Sequence, residues 1–321
     1  MDFGADTTTD EVLAGVDLDG WEVIVTGASG GLGEETARAL ASRGANVTLT
    51  ARDRARGEAA AERIRAHTDR GEIEVGVLEL ADFSSVRAFA ADWLTRHARL
   101  DVLINNAGIM ACPLQRTADG FELQFATNHL GHFLLTGLLV PALLAGAEAA
   151  PRARIVNVSS AAHKLGAVDF SDPHFDRRPY DKWTAYGQAK TANMLCAVGL
   201  ERRLADRGIH AFGLHPGGIM TDLGRHLEGS DVMELMRRAK VDPEQGLKLK
   251  SVAAGAATTV WAATAAELAG YGGIYLEDCQ IAPRCDGELE TPGYVDHAVD
   301  PEAAERLWAM SEEYVGERFS F

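Results

Sequence analysis

Tyr186 stands four residues before Lys190 in TAYGQAK, residues 184–190. On a helix, residues at i and i+4 lie one above the other on the same face, so the phenol and the ammonium would point the same way. A cation beside a phenol favours the phenolate, which would make the pair a proton-transfer unit. On an ordinary surface helix the same spacing is only a polar pair. The serine doublet Ser159–Ser160, in RIVNVSSAAH, is a second group able to do chemistry. A hydroxyl there could orient a substrate oxygen and stabilise developing charge, or could simply finish a turn. A third candidate is TGASGGLGEETARAL, with Gly27, Gly31 and Gly33. Glycines at such a turn let a phosphate approach the backbone, and a following helix N-terminus supplies unpaired N–H groups and positive dipole. The spacing is TGxxxGxG, not the GxGxxG of ordinary dinucleotide folds.

These residues need elements to hold them. Short β-branched runs alternate with helix-length segments: EVIVT (22–26), NVTLT (46–50), IEVGVLEL (73–80), DVLIN (101–105), RIVNV (154–158), IHAFGL (209–214) and GGIYL (272–276). Between them, GEETARALASRG and DFSSVRAFAADWLTRH repeat apolar residues at three- and four-residue steps. The alternation predicts a parallel sheet covered on both faces by right-handed crossovers, an α/β doubly wound domain of about seven strands. Residues 1–20 form an acidic, threonine-rich extension before a single domain over 21–321. In the extension, Thr8 and Glu11 have capping-box spacing, and residues 1–6 are expected to wander. Two stretches break the alternation: 161–183 and 217–246, the latter a candidate substrate loop. His163 and His174 in the first have no ligand-like spacing and read as surface residues. No internal repeat is present.

With 31 basic and 47 acidic side chains, the chain carries a formal charge of −16. That argues against nucleic acid or an anionic membrane as partner. Cys112, Cys196, Cys279 and Cys285 show no metal-ligand spacing, so no metal is expected and reduced thiols in the cytoplasm are the simplest account. The N-terminus has no basic and no apolar region, unlike a signal peptide. The longest apolar run, FLLTGLLVPALLAG (133–146), is short for a bilayer span and contains Pro141, so it reads as a buried helix.

The TGxxxGxG turn, NNAG at 105–108, a serine after the fifth strand and YxxxK occur in the order that resembles the short-chain dehydrogenase/reductase superfamily, over roughly residues 20–280. LTARDRARGEAA, NNAGIM, TADGFE, NHLGHFLLT, RIVNVSSAAH and HPG look most like its retinol-dehydrogenase and WW-domain-oxidoreductase-like branch. The resemblance implies a single doubly wound Rossmann domain and a nicotinamide cofactor. It makes Tyr186 the general acid/base and Lys190 the group that lowers its pKa and bonds the nicotinamide ribose. Moving a phenol from about 10 by about three units takes roughly 4 kcal/mol of preferential phenolate stabilisation. An ammonium at about 4 Å in an effective dielectric near 20 supplies about that. Ser160 takes the catalytic serine position, with Ser159 as structural neighbour. The 26-residue separation of Ser160 and Tyr186 is longer than usual in the family and fits the branch's insertion. Asn128 matches the asparagine that helps hold a water linked to the lysine.

For the cofactor, the resemblance implies Gly27, Ser29, Gly31, Leu32 and Gly33 around the phosphates, with Asn106, Ala107 and Gly108 beside the adenosine. Asn105 would stabilise the sheet. Glu79, followed by Leu80, stands where the family usually has an aspartate on the adenine amine. Pro216 and Gly217 would pass beside the nicotinamide, and Thr221 would bond its carboxamide or the pyrophosphate. Ala51 replaces the aspartate of NAD-specific relatives, and Arg52 follows it, so NADP(H) is expected in preference to NAD(H), which remains possible. The expected reaction interconverts an alcohol and a carbonyl by hydride transfer. The apolar side chains of 219–247 point to a lipophilic small-molecule substrate, and the family to a homodimer or homotetramer. A catalytically silent NADP-binding regulator, and an epimerase or dehydratase of the extended family, are the alternatives.

Overall fold

The computed structural model describes residues 3–150, 152–225, 227–242 and 246–321. Met1 and Asp2 of the expected extension, and His226 and residues 243–245 of the expected substrate loop, lie outside the described residues.

The β-branched runs form β1 (Glu22–Val25), β2 (Asn46–Ala51), β3 (Ile73–Val77), β4 (Val102–Asn105), β5 (Ala153–Val158), β6 (Ile209–His215), β7 (Ile274–Glu277) and β8 (Gln280–Ile281). Among the described residues they make one sheet, ordered β3-β2-β1-β4-β5-β6-β7-β8. The first seven are parallel, with Ile24 opposite both Thr48 and Leu103, and Asn105 opposite Asn157. The sequence reading lacks β8, a two-residue edge strand antiparallel to β7. Its connecting turn puts Asp278 and Cys279 at positive φ, 53° and 56°. β3 stops short of the expected Leu80, because the chain turns at Glu79–Asp82 and Asp82 caps the next helix.

The helices are α1 (Thr9–Val12), α2 (Gly31–Ala41), α3 (Arg54–Arg65), α4 (Phe83–Arg96), α5 (Leu123–Phe125), α6 (Gly131–Ala149), α7 (Lys182–Leu204), α8 (Gly229–Ala239), α9 (Val252–Thr264) and α10 (Pro301–Val315). Side-chain caps start most of the long ones: Asp53, Asp82, Asp181, Ser251 and Asp300 accept first-turn N–H groups of α3, α4, α7, α9 and α10. One apolar layer joins α4, α6, α7 and α10 to the sheet; the other joins α2 and α9 to its opposite face.

The run around Pro141 is part of a longer helical stretch. α5, a π-helical turn at Ala126–Leu130, and α6 continue through Leu123–Ala149, which is long and apolar enough to cross a membrane. In this fold 72% of its most apolar window is buried inside the protein. The N-terminal segment also departs from expectation. The Thr8–Glu11 capping box forms, but Phe3 packs on the core and its carbonyl accepts from Gln280 Nε2 at 2.9 Å. A turn closes Gly4–Thr7, so residues 3–6 are tied down.

The strand order reverses between β1 and β4. In such sheets ligands bind at this switch point, beyond the carboxyl ends of the strands. The glycine turn follows β1, NNAG follows β4, and the serine doublet follows β5.

Candidate active site

The glycine turn is shaped by contacts only glycine permits. Gly27 sits at φ 65°, and a Cβ there would lie 2.8 Å from Ala107 Cα. At Gly33 a Cβ would come within 2.6 Å of both Asn106 Nδ2 and the Gly27 carbonyl. The turn is thereby clamped onto Asn106–Ala107. Gly30 caps α2 without a side-chain hydrogen bond, and a Cβ there would meet nothing within 4 Å. The first N–H groups of α2 thus have no side-chain cap, an arrangement suited to phosphate.

The candidate catalytic groups converge. The Ser160 hydroxyl lies close enough to the Tyr186 phenol to hold its pKa down against burial, and Ser160 Oγ accepts from the Ala162 N–H at 3.1 Å. Ser159 turns the other way and donates to the Lys190 carbonyl at 2.8 Å. Lys190 Nζ donates to the Val158 carbonyl at 2.9 Å and lies 5.6 Å from the Tyr186 ring centre. A methyl on Gly108 would lie 3.2 Å from Asn128 Oδ1 and 3.7 Å from Lys190 Nζ, so the NNAG turn, Asn128 and Lys190 share one small space. Asn105 Nδ2 donates to Asn157 at 2.8 Å and Thr136 at 3.0 Å, tying β4 to β5 and α6.

Burial dominates the electrostatics of the pair. Burial pushes the Tyr186 phenol up to about 12, against the opposing hydrogen bond from Ser160. Burial also pushes Lys190 down to about 8. Both shifts disfavour the charged forms, as desolvation does. The expected lowering of Tyr186 by Lys190 is not seen in this structure, where the ammonium bonds the Val158 carbonyl and burial dominates the phenol.

At the cofactor's expected adenosine end, Arg52 pairs with Glu79 at 3.7 Å, with both side chains well exposed. Asp53 caps α3 and Asp82 caps α4, so neither is the partner of Arg52. A cavity of about 420 Å³ opens here, lined by Glu79, Ala81, Asp82, Phe83, Thr117 and Asp119 among others. Ser29 lies in the turn, its carbonyl 3.5 Å from Arg63. Leu80 is buried, its carbonyl held against Gly131. Beyond β6, Pro216 is buried and Gly217 stands at φ 99° against the Lys250 side chain. Thr221 reaches the glycine turn: a Cβ on Gly31 would lie 3.3 Å from its methyl. Leu32 packs with Ile219 against Gly255 of α9. The candidate substrate loop thus begins on top of the glycine turn.

Further along, that loop forms α8, which lies over Tyr186. Leu227 and Leu235 pack on an apolar cluster of Ala111, Ala162, Trp183 and Tyr186, with Met110 and Leu165 beside it. Arg238 clasps Asp181 through two bonds of 3.0 and 2.9 Å, and Lys182 pairs with Asp231 at 2.6 Å. Both pairs tie α8 to the start of the helix carrying Tyr186, and Tyr186 is only 3% exposed beneath them. Trp183 is missing from the sequence reading, although it precedes Tyr186 by three residues and so shares its helix face. Its indole nitrogen is buried without a partner.

The 161–183 stretch holds a further correction. His163 and His174 are buried, not at the surface. His163 Nδ1 donates to the Ser160 carbonyl at 2.7 Å, and His174 Nδ1 accepts the Glu122 N–H at 3.3 Å. Tyr180 donates to Glu122 at 3.1 Å. The insertion is therefore a buttress between the serine turn and α5. Among the described residues no group of three or more His, Cys, Asp and Glu side chains could hold a metal, and the four cysteines are unpaired.

Residues 22–230 match the family model of the short chain dehydrogenases. The chain belongs to that family. It is 42% identical over 302 residues to human retinol dehydrogenase 13, covering 93% of this chain and 86% of the relative. A crystal structure of an uncharacterised protein from Mycobacterium paratuberculosis superimposes with a TM-score of 0.70 at 37% identity, covering 95% and 97% of the two chains. RhlG of Pseudomonas aeruginosa, solved as an active-site complex with NADP, superimposes with a TM-score of 0.62 at 26% identity, covering 81% and 95%. The chain is thus a short-chain dehydrogenase/reductase of the retinol-dehydrogenase-like branch, an oxidoreductase with a doubly wound Rossmann fold and a small-molecule substrate.

Proposed function

We propose that this oxidoreductase interconverts a lipophilic alcohol and its carbonyl, using NADP(H) in preference to NAD(H). The observation that carries the reading is the small space shared by Lys190, Asn128 and Gly108, with the Ser160 hydroxyl near the Tyr186 phenol beside it. The residues present fit a dinucleotide: α2 starts behind the glycine turn with no side-chain cap on its first N–H groups, at the sheet's switch point. Gly27, Ser29, Gly31, Leu32 and Gly33 would hold the phosphates, Asn106 to Gly108 and Glu79 with Leu80 the adenosine side, and Pro216, Gly217 and Thr221 the nicotinamide side. A bound nicotinamide supplies or accepts the hydride.

The chain's own residues supply the rest. Ser160 holds the substrate oxygen, and the Tyr186 hydroxyl donates a proton to it in reduction and takes one in oxidation. Lys190 in its charged form favours the phenolate and holds the ribose; Asn128 keeps its surroundings ordered. α8 excludes water. Arg52 supports the NADP(H) preference, since a guanidinium can pair with a 2′-phosphate and stack on an adenine. Ser29 could add a hydrogen bond to the same phosphate. Ala51 offers no carboxylate for a ribose 2′-hydroxyl.

Support for a lipophilic substrate comes from the apolar cluster around Tyr186 and from Met233 and Met236 on α8, since methionine adapts to varied apolar shapes. A screen of ketones and aldehydes with each cofactor, followed by the absorbance of the reduced nicotinamide, tests this. Turnover favouring bulky apolar carbonyls with NADPH is expected. Preference for small polar carbonyls, or for NADH, would overturn the corresponding part. A homodimer or homotetramer in the cytoplasm completes the reading, and sedimentation as a monomer at micromolar concentration would contradict the assembly.

A further inference from the structure

His132 lies one turn beyond Asn128 and is buried. Its Nδ1 is 2.9 Å from the Asn128 carbonyl and its Nε2 is 2.8 Å from Thr26 Oγ1. The carbonyl can only accept, so Nδ1 carries the proton. Thr26 Oγ1 already accepts the N–H groups of Asn106 and Ala107 at 2.9 and 3.0 Å. Two donors use both lone pairs of a hydroxyl, leaving its single proton to be given away. The His132 nitrogen, at 2.8 Å, is a nearer acceptor than the Ile104 carbonyl at 3.3 Å. His132 is therefore neutral, protonated on Nδ1 and accepting on Nε2, and its burial favours the neutral form.

The remaining bonds close a circuit. The Asn128 amide accepts from the Ile109 N–H and donates to the Ile109 carbonyl, both at 2.9 Å. Ile109 directly follows Gly108, the end of the turn that starts at Asn106. The ring runs Thr26, Asn106–Ala107, Gly108–Ile109, Asn128, His132 and back to Thr26. It joins the end of β1, the turn after β4 and the π-helical turn at Ala126–Leu130. A π-turn interrupts the ordinary helical ladder, and the His132 side chain bonds one of its carbonyls.

We propose that His132 is a positioning residue that holds the Asn106–Gly108 turn and the Asn128 amide in one register, so that cofactor seating and the catalytic group are set together. The inference rests on the proposed roles of that turn and of Asn128, and it concerns the link between them, which neither role requires.

The two halves of the ring can be cut separately. His132→Asn keeps an amide N–H near the Nδ1 position and loses reach to Thr26. His132→Gln reaches towards Thr26 and gives up the bond to the Asn128 carbonyl. His132→Val removes both. The loss of one buried hydrogen bond corresponds to about tenfold in an equilibrium or rate. In His132→Gln, kcat should fall about tenfold or more with the NADPH dissociation constant within about threefold. In His132→Asn, the dissociation constant should rise about tenfold with kcat at saturating cofactor within about threefold. His132→Val should lose both. Nitrogen NMR of the wild-type ring should report a neutral imidazole protonated on Nδ1.

Folded variants that all keep kcat and NADPH affinity within about twofold, with only the melting temperature lowered, would make His132 purely structural and overturn the proposal. So would a wild-type ring that is charged or protonated on Nε2, a result available even if no variant folds. If no carbonyl is turned over by wild type, the proposed reaction fails. NADPH binding that still separates Asn from Gln would then leave the positional link standing.

Discussion

On the proposed reading, Arg52 is the residue on which cofactor choice turns. Its only described ion pair, with Glu79 at 3.7 Å, joins two well-exposed side chains, and such pairs are worth about 0–1 kcal/mol. Little therefore holds the guanidinium back from a phosphate, whose charge-assisted contact is worth about 1.5–3 kcal/mol. Arg52→Ala should raise the KM for NADPH roughly tenfold to a hundredfold and leave NADH nearly unchanged; steady-state kinetics with both cofactors checks this. Lys190 carries a pH prediction. Burial holds its pKa near 8, below the ordinary 10.5. Its charge is then lost as pH rises through about 8, so kcat/KM, which reports the free enzyme, should decline above that point. Lys190→Arg keeps its charge and should flatten the decline, whatever its lower overall rate. The stability effect has the opposite sign. A depressed lysine pKa penalises the folded state at low pH, and the penalty is relieved between about 8 and 10.5. Thermal melts should show that gain in wild type and lose it in Lys190→Met.

α8 is the element whose behaviour the account exposes most. It is held over Tyr186 by Leu227 and Leu235 and by the pairs Arg238–Asp181 and Lys182–Asp231. Asp181 also caps α7, so Arg238 is the cleaner place to cut. A partly exposed pair contributes about 0.5–1 kcal/mol, so Arg238→Gln should speed amide exchange over Gly229–Ala239 by about twofold to fivefold. Hydrogen-exchange mass spectrometry reads this directly; unchanged exchange would mean the apolar contacts and the Lys182–Asp231 pair hold the helix without Arg238. At this scale the sequence was informative wherever a period was available. Seven β-branched runs became seven parallel strands, and the Thr8–Glu11 spacing became a capping box. It was silent where burial arises between distant segments. The burial of His163 and His174 comes from contacts with the serine turn, Tyr275 and Glu122, which no local pattern carries. β8 is two residues long, too short to show alternation. YxxxK was legible, but the direction of the Tyr186 shift was not, because burial and the Lys190–Val158 bond appear only in the folded chain.

For the whole molecule, the sheet order places the glycine turn, the NNAG turn and the serine doublet at one end of adjacent strands, and α7 supplies Tyr186 and Lys190 to the same end. The two apolar layers keep these parts in fixed relation, while the candidate substrate loop touches both the glycine turn, through Thr221, and the Tyr186 cluster, through α8. On the proposed reading, cofactor seating and closure over the substrate are parts of one surface. The central claim is that the Tyr186 hydroxyl moves the proton in this setting. It is tested most directly by measuring carbonyl reduction and NADPH binding together in Tyr186→Phe, which preserves the ring and its packing. Turnover should fall by about a hundredfold or more, the range expected of a positioned acid, with NADPH affinity within a few-fold of wild type. Turnover within about tenfold of wild type would contradict it.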